Sequence, residues 1–235
     1  MVDSPQSPSA TGRAQPSARV RVRRKPGRAC YEVSAACAIF DEAPFSHVAT
    51  VRGGRPVVLP MAHGRIGSML FLHGSPAAGL FRDAAAGSLV CVTATLLDGL
   101  VFGRSARNHS MNYRSVTIHG RASPVTEQEQ IIEGLRALVE HKAPGRWAEV
   151  RKPTSHEISE TALWRVPIEE VSVKSRAGST LDPEDDCALH VWAGHIPAQL
   201  TFSHPITAPR VPADIELPGY LRAITAATSA ISARR

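Results

Sequence analysis

The sequence is poor in aromatic residues, 5% of its 235 positions, and holds four cysteines. Cys30, Cys37, Cys91 and Cys187 show no C-x-x-C spacing, which argues against a zinc site or a disulfide framework and for reduced thiols of a cytoplasmic protein. No apolar run approaches the ~18 residues of a membrane span, and the N-terminus has no apolar signal core, so no membrane role is expected. Gly-rich phosphate loops of the G-x-G-x-x-G or G-x-x-x-x-G-K type are missing. So is a G-x-S-x-G elbow, which removes the usual serine-hydrolase reading. The ten histidines form no H-x-x-x-H or H-x-H pair with acidic support, so no metal is expected.

What charge there is lies unevenly. Residues 1–28 hold seven Lys/Arg against Asp3 alone, which accounts for the whole formal net charge of +6 and leaves residues 29–235 neutral. A nucleic-acid binder usually carries its basic patch on the folded domain. Here the charge sits in a Pro/Ser/Ala-rich stretch that reads as a solvated leader, so nucleic acid is not an expected partner.

Beyond the leader, Ala29–Glu42 reads as a helix with Cys30 and Cys37 on one face. Ser46–Val51 and Pro56–Ala62 read as strands around a Gly-Gly hairpin turn. His63–Gly67 ("HGRIG") reads as a turn before the strand Ser68–Leu72, and Pro76–Ala86 as a short helix. Leu89–Leu96 alternates Val, Val, Ala against Cys, Thr, Thr. Asp98-Gly99 reads as a turn into Leu100–Ser105, and 112–125 as a further strand. Thr126 and Glu129 have capping-box spacing ahead of a helix with Ile131, Ile132, Leu135, Leu138 and Val139 as its buried stripe. Strands Ala162–Val166 and Val171–Arg176 follow, then an acidic loop "TLDPEDD". Five to seven short strands with about three helices predict a mainly β, antiparallel barrel with helices outside, spanning 29–205, with 206–235 a Pro-rich segment and short helix.

The densest polar stretch runs from Arg104 to Ser115 and includes Ser105, Arg107, Asn108, His109, Asn112, Tyr113 and Arg114. Guanidinium groups, hydroxyls and backbone N–H groups are what a phosphate monoester binds, through charge-assisted hydrogen bonds. A solvated loop is the equal alternative. Ser172, Lys174 and Arg176 alternate along one strand and so share a face that could close over an anion. His73 ends a strand, where a histidine serves either as a hydrogen-bonded structural residue or as a catalyst.

Five separated blocks carry a resemblance: "LHGS" at 72–75, "VCVTATLLDGLV" at 90–101, "HSMNYRSV" at 109–116, "EHKAPGRW" at 140–147 and "VWAGHIP" at 191–197. Together they resemble the pyridoxamine 5′-phosphate oxidase-related flavoproteins, in particular the nitroimidazole-resistance and flavin-nucleotide-binding group. The resemblance implies a split β-barrel homodimer with FMN in clefts at the subunit interface, and oxidoreductase activity on a small organic molecule. It assigns Ser75, Arg82, Thr93, Arg104, Ser105, Asn112, Arg114, Ser115 and Lys174 to the cofactor, Tyr113 and Trp192 to the walls, and His73 and His109 to the substrate side. Relatives read "HGS-x-A-S-R" where this chain has Ala78 and Gly79. That departure removes contacts typically worth about 1.5–3 kcal/mol each, and Arg82 is the available substitute. The basic substrate-binding residues near the C-terminus of true pyridoxamine phosphate oxidases find no match. Two other readings stay open on the same fold: a protein holding haem or a deazaflavin, and a flavin-free enzyme using the pocket for acid–base chemistry.

Overall fold

The computed structural model describes residues 16–74, 87 and 89–232. The expected helix at Pro76–Ala86 lies outside them. The described chain forms two antiparallel sheets with helices packed against them, a mainly β architecture as the sequence patterning predicts.

The larger sheet joins β1 (Ala29–Cys30), β10 (Glu170–Arg176), β7 (Ser110–Arg121), β6 (Leu89–Phe102), β2 (Ser46–Arg52) and β3 (Arg55–Met61) in that order, with β11 (Gly194–Pro197) also pairing β6. The smaller sheet runs β4 (His63–Ile66), β5 (Met69–Gly74), β9 (Ala162–Pro167), β8 (Ser123–Pro124). Strand alternation gives the large sheet one apolar face, built from Val90, Val92, Ala94, Val116, Ile118, Val171 and Val173. That face buries against Ala36, Ile39 and Phe40 of α1 (Val33–Glu42) and against Leu70, Leu72, Trp164 and Val166 of the small sheet. Phe71, on the opposite face of β5, joins a second cluster with Leu163, Val125, Ile158 and the buried Ile131 and Leu138 of α2 (Gln128–Lys142). Gly53 and Gly54, at φ of 53° and 73°, make the hairpin between β2 and β3.

Several local expectations are corrected. Residues 29–30 are strand, because Ala29 and Cys30 pair with Lys174 and Val173 at the sheet edge, so Cys30 does not share a helix face with Cys37. "HGRIG" supplies β4 rather than a turn: His63 and Gly64 are buried between β5 and α2. Asp98-Gly99 turns nothing. β6 runs through it with a bulge, because β11 and β7 pair with both sides of the strand there. Thr126 does not cap α2, whose N-cap is Glu127 with no side-chain bond; the capping box closes at Thr154 and Glu157, on α4 (Ser155–Ser159). Residues 16–28 are no free tail. Val20 is buried, the Val22 N–H donates to the Tyr31 hydroxyl at 3.0 Å, and Arg19 pairs with Glu170. Between α2 and α4 lies the short helix α3 (Arg146–Glu149), the acidic loop holds α5 (Glu184–Cys187), and the last described helix is α6 (Gly219–Ser232).

Candidate functional site

Residues directly opposite in an antiparallel pair share a face. Thr93 faces Thr117, which faces Ser172; Thr95 faces Ser115, which faces Lys174; Tyr113 faces Arg176. Thr93, Tyr113, Ser115 and Lys174 therefore lie on the outer, polar face of the large sheet. Asn112 and Arg114 alternate to the other side. The hydroxyls are locally satisfied: Thr93 donates to the Val116 carbonyl at 2.7 Å and Ser115 to the Lys174 carbonyl at 3.1 Å.

At the end of that face opens a cleft of about 370 Å³, lined by Arg24, Lys25, Arg28, Arg107, Lys174 and Arg176 together with Asn108, His109, Ser110 and Leu181. Arg176 is buried and engaged, donating to Asn112 Oδ1 and to the carbonyls of Gly178 at 3.2 Å and Ser179 at 2.8 Å. Arg24, Lys25, Arg28, Arg107 and Lys174 form no ion pair among the described residues. Their mutual repulsion shows in Lys25, whose ammonium is held below its ordinary pKa chiefly by Arg28, then by its surroundings and Arg24. Lys25 also sits in the left-handed region, at φ 54°, where it starts the Pro26–Arg28 helical turn closed by the Arg28 N–H on the Lys25 carbonyl at 3.0 Å. Strain of this kind gathers at functional sites.

Three of these cations, Arg24, Lys25 and Arg28, come from the stretch read as a solvated leader, and sequence reasoning did not bring them to the site. The signal available was Pro26-Gly27, a turn dipeptide next to strand β1, whose pairing with β10 sets the turn beside Lys174.

A second missed residue organises the other wall. The carboxylate of Asp182 is 1% exposed and bonds to Arg104 Nη1 at 2.9 Å. It also accepts from the Arg104 backbone N–H at 3.1 Å, from Asn108 at 3.2 Å and from Thr180 at 2.9 Å. Desolvation opposes its charge, yet the bonds from Thr180, Arg104 and Asn108 win and hold its pKa below the usual carboxylate range. Arg104 is thereby committed to positioning the turn 103–109. Within it the Ser105 carbonyl faces His109 Nδ1 at 3.0 Å. A carbonyl can only accept, so Nδ1 carries the proton and Nε2 keeps a free lone pair. His109 stands edge-on to Phe102, with ring centroids 5.8 Å apart, and Phe102 lies 6.0 Å from the exposed Trp192.

The structure does not bring the whole expected set together. Arg114 lies away from the cleft, bridged to Asp98 at 2.8 Å and to Glu42 at the end of α1. This ion-paired cluster floors a separate groove of about 700 Å³ whose other walls include Leu200, Phe202 and Ile224. His73 lies one residue before the end of β5, opposite Leu163, its ring exposed yet partly desolvated, which with Lys142 lowers its pKa. Ser75, Ala78, Gly79 and Arg82 lie outside the described residues. Among the described residues no cluster of three or more His, Cys, Asp or Glu could hold a metal ion.

The family model described as pyridoxamine 5′-phosphate oxidase matches residues 32–175. Among solved structures the chain is similar to the flavocytochrome Anf3 from Azotobacter vinelandii, with 37% identity, a TM-score of 0.84, and 89% of this chain and 97% of that one covered. It is also similar to the FAD and heme binding protein from Mycobacterium smegmatis, at 34% identity and a TM-score of 0.80, covering 84% and 97% of the two chains. A protein assigned to 5-nitroimidazole antibiotic resistance, from Bacteroides thetaiotaomicron, shares the fold at 20% identity and a TM-score of 0.54, over 62% of this chain and 85% of that one. No curated protein matches the sequence.

Proposed function

Because the chain belongs to the pyridoxamine 5′-phosphate oxidase family, we propose that it is a flavin-dependent oxidoreductase. In this reading two copies form a split-barrel dimer whose seam runs along the outer face of the large sheet, and the flavin lies in that seam. The observation that carries it is the cleft. Arg24, Lys25, Arg28, Arg107 and Lys174 converge with no carboxylate partner among the described residues, an arrangement that fits the phosphates of a nucleotide. A flavin bound there supplies hydride or electron transfer to a small organic substrate.

The chain's own residues bind and orient. The five cations would hold the phosphate oxygens. Thr95, Ser115 and Tyr113 lie along the face that the rest of the nucleotide would cross. Asp182 fixes the turn that presents Arg107 and His109, and His109 Nε2 is free to accept a proton or hydrogen bond from substrate. The four cysteines are free, which supports work in the reducing cytoplasm.

Two relatives above 30% identity, a flavocytochrome and an FAD and heme binding protein, favour FAD over FMN and favour haem as a second group. His73, exposed near the end of β5, is the candidate for the iron. The absorbance spectrum of the purified protein tests both groups. A flavin band with FAD released on denaturation supports the first, and a Soret band lost in His73→Ala the second. Released FMN would restore the cofactor expected from the sequence. Colourless protein that takes up neither FMN nor FAD overturns the flavin reading.

A further inference from the structure

Residues 203–215 are exposed along their whole length. Their backbone hydrogen bonds among the described residues close two turns inside the segment, Val211 N–H to the Ala208 carbonyl and Ile215 N–H to the Pro212 carbonyl. The segment nevertheless holds Ile206, Val211 and Ile215 in water, at 97%, 39% and 59% exposure. Pro205, Pro209 and Pro212 restrict its backbone, which lowers the entropy lost when such a segment docks. An irregular connection of this length is uncommon in a compact domain. Its ends are fixed: Phe202 lines the groove beside Glu42, and the Tyr220 hydroxyl donates to Glu149 at 2.6 Å.

A complementary surface lies at the same corner. Ile196 on β11 pairs in register with Leu100 on β6, which pairs with Met111 on β7. The three form one apolar row across three strands, 53%, 42% and 52% exposed. The row continues the face that carries Tyr113 and Ser115, and β11 ends at Pro197, five residues before Phe202.

We infer that residues 203–215 are a clasp for a second copy of this chain, laid over the partner's apolar row Ile196–Leu100–Met111. This rests on the dimer proposed above and names the surface that locks it. One chain leaves both the row and the segment uncovered. A two-fold pair covers both at once, because each copy offers one of each. The segment's charges are few and mixed, Arg210 against Asp214, so neither a nucleic acid nor an anionic lipid surface is favoured over an apolar one.

The test uses the full chain. Light-scattering mass and dilution-dependent dissociation are measured for the wild type and for an Ile206→Asp, Val211→Asp double variant, both positions being exposed. In parallel, a photoreactive phenylalanine analogue replaces Ile206. The expected results are a wild-type dimer, dissociation at least tenfold easier in the double variant with the monomer's thermal midpoint unchanged, and a two-chain adduct on the peptide holding Leu100 or Met111. A dimer that the double variant leaves intact, or an adduct confined to one chain, overturns the clasp while the dimer stands. A wild type that is monomeric throughout the micromolar range overturns both.

Discussion

At the scale of single residues, His63 shows how a backbone carbonyl fixes a side chain's chemistry. Its ring is fully buried, with Nε2 at 2.8 Å from the Phe40 carbonyl and the His141 ring 4.5 Å away. Nε2 must carry the proton, and Nδ1 has no partner. Protonating Nδ1 would place a bare charge in the core beside His141, and burial pushes the pKa down to about 4, against partial support from the Phe40 carbonyl. The folded state thus refuses a proton that the unfolded chain accepts near pH 6.5. His63 therefore stabilises the fold fully above that pH, and its contribution drains away as pH falls toward 4, by about 3 kcal/mol in total. Urea midpoints measured across this window should fall, and His63→Gln, which retains a donor for Phe40, should flatten the fall. Glu157, held down at about 2 by Arg151 and the Thr154 N–H, loses its contribution only at lower pH, so the two are separable. Asp182 gives a second prediction. Asp182→Ala frees Arg104 and Asn108 and loosens the turn that presents Arg107 and His109, and fluorescence titration should show flavin affinity at least tenfold lower.

At the scale of elements, the packing of α2 on the small sheet depends on two missing side chains, Gly64 where β4 meets the helix and Gly134 where the helix meets β5 and β9. A Cβ on Gly64 would stand 2.5 Å from the Ala137 carbonyl carbon and 2.6 Å from the Leu138 nitrogen, both backbone atoms of α2. A Cβ on Gly134 would meet the tips of Leu163 at 2.3 Å and Phe71 at 2.8 Å, which are side chains. Backbone cannot give way without moving the helix, whereas side chains can repack, and alanine also gains about 1 kcal/mol of helix propensity at position 134. Gly64→Ala is therefore expected to destabilise by about 3 kcal/mol and Gly134→Ala by about 1 kcal/mol, measured by urea unfolding. A reversed order would show that β4 rides loosely on α2. The same contact explains why His63–Ile66 is strand: once α2 covers one side and β5 the other, the backbone of a nominal turn sequence finds better partners in the ladder.

For the whole molecule, the distribution of charge matters more than its sum. Without a ligand, the five unpaired cations of the cleft repel one another, so an anion that binds there stabilises the folded state by mass action. Inorganic phosphate should raise the thermal midpoint more than chloride at matched ionic strength. Arg107→Glu and Lys174→Glu should each abolish that excess and weaken flavin binding tenfold or more. Equal responses to phosphate and chloride would mean general screening only, and would remove the cleft as the phosphate site.

Alternation of Val and Ala with Cys and Thr in residues 89–96, the Gly-Gly hairpin and the apolar spacing of 131–138 are local patterns, and each fixed its element type and its buried face. The five-block resemblance likewise carried the family. Pairing between distant segments decided the rest. Whether Asp98-Gly99 turns or bulges depends on β11 arriving from a hundred residues away, and whether Arg104 meets a phosphate or Asp182 depends on a loop eighty residues downstream. Most telling, Lys25 and Lys174 are far apart in the chain and meet because β1 pairs with β10. Hydrophobic period is written residue by residue and survives any arrangement of the chain. A charge's partner is set by which strands lie side by side, and that choice belongs to burial of the whole core.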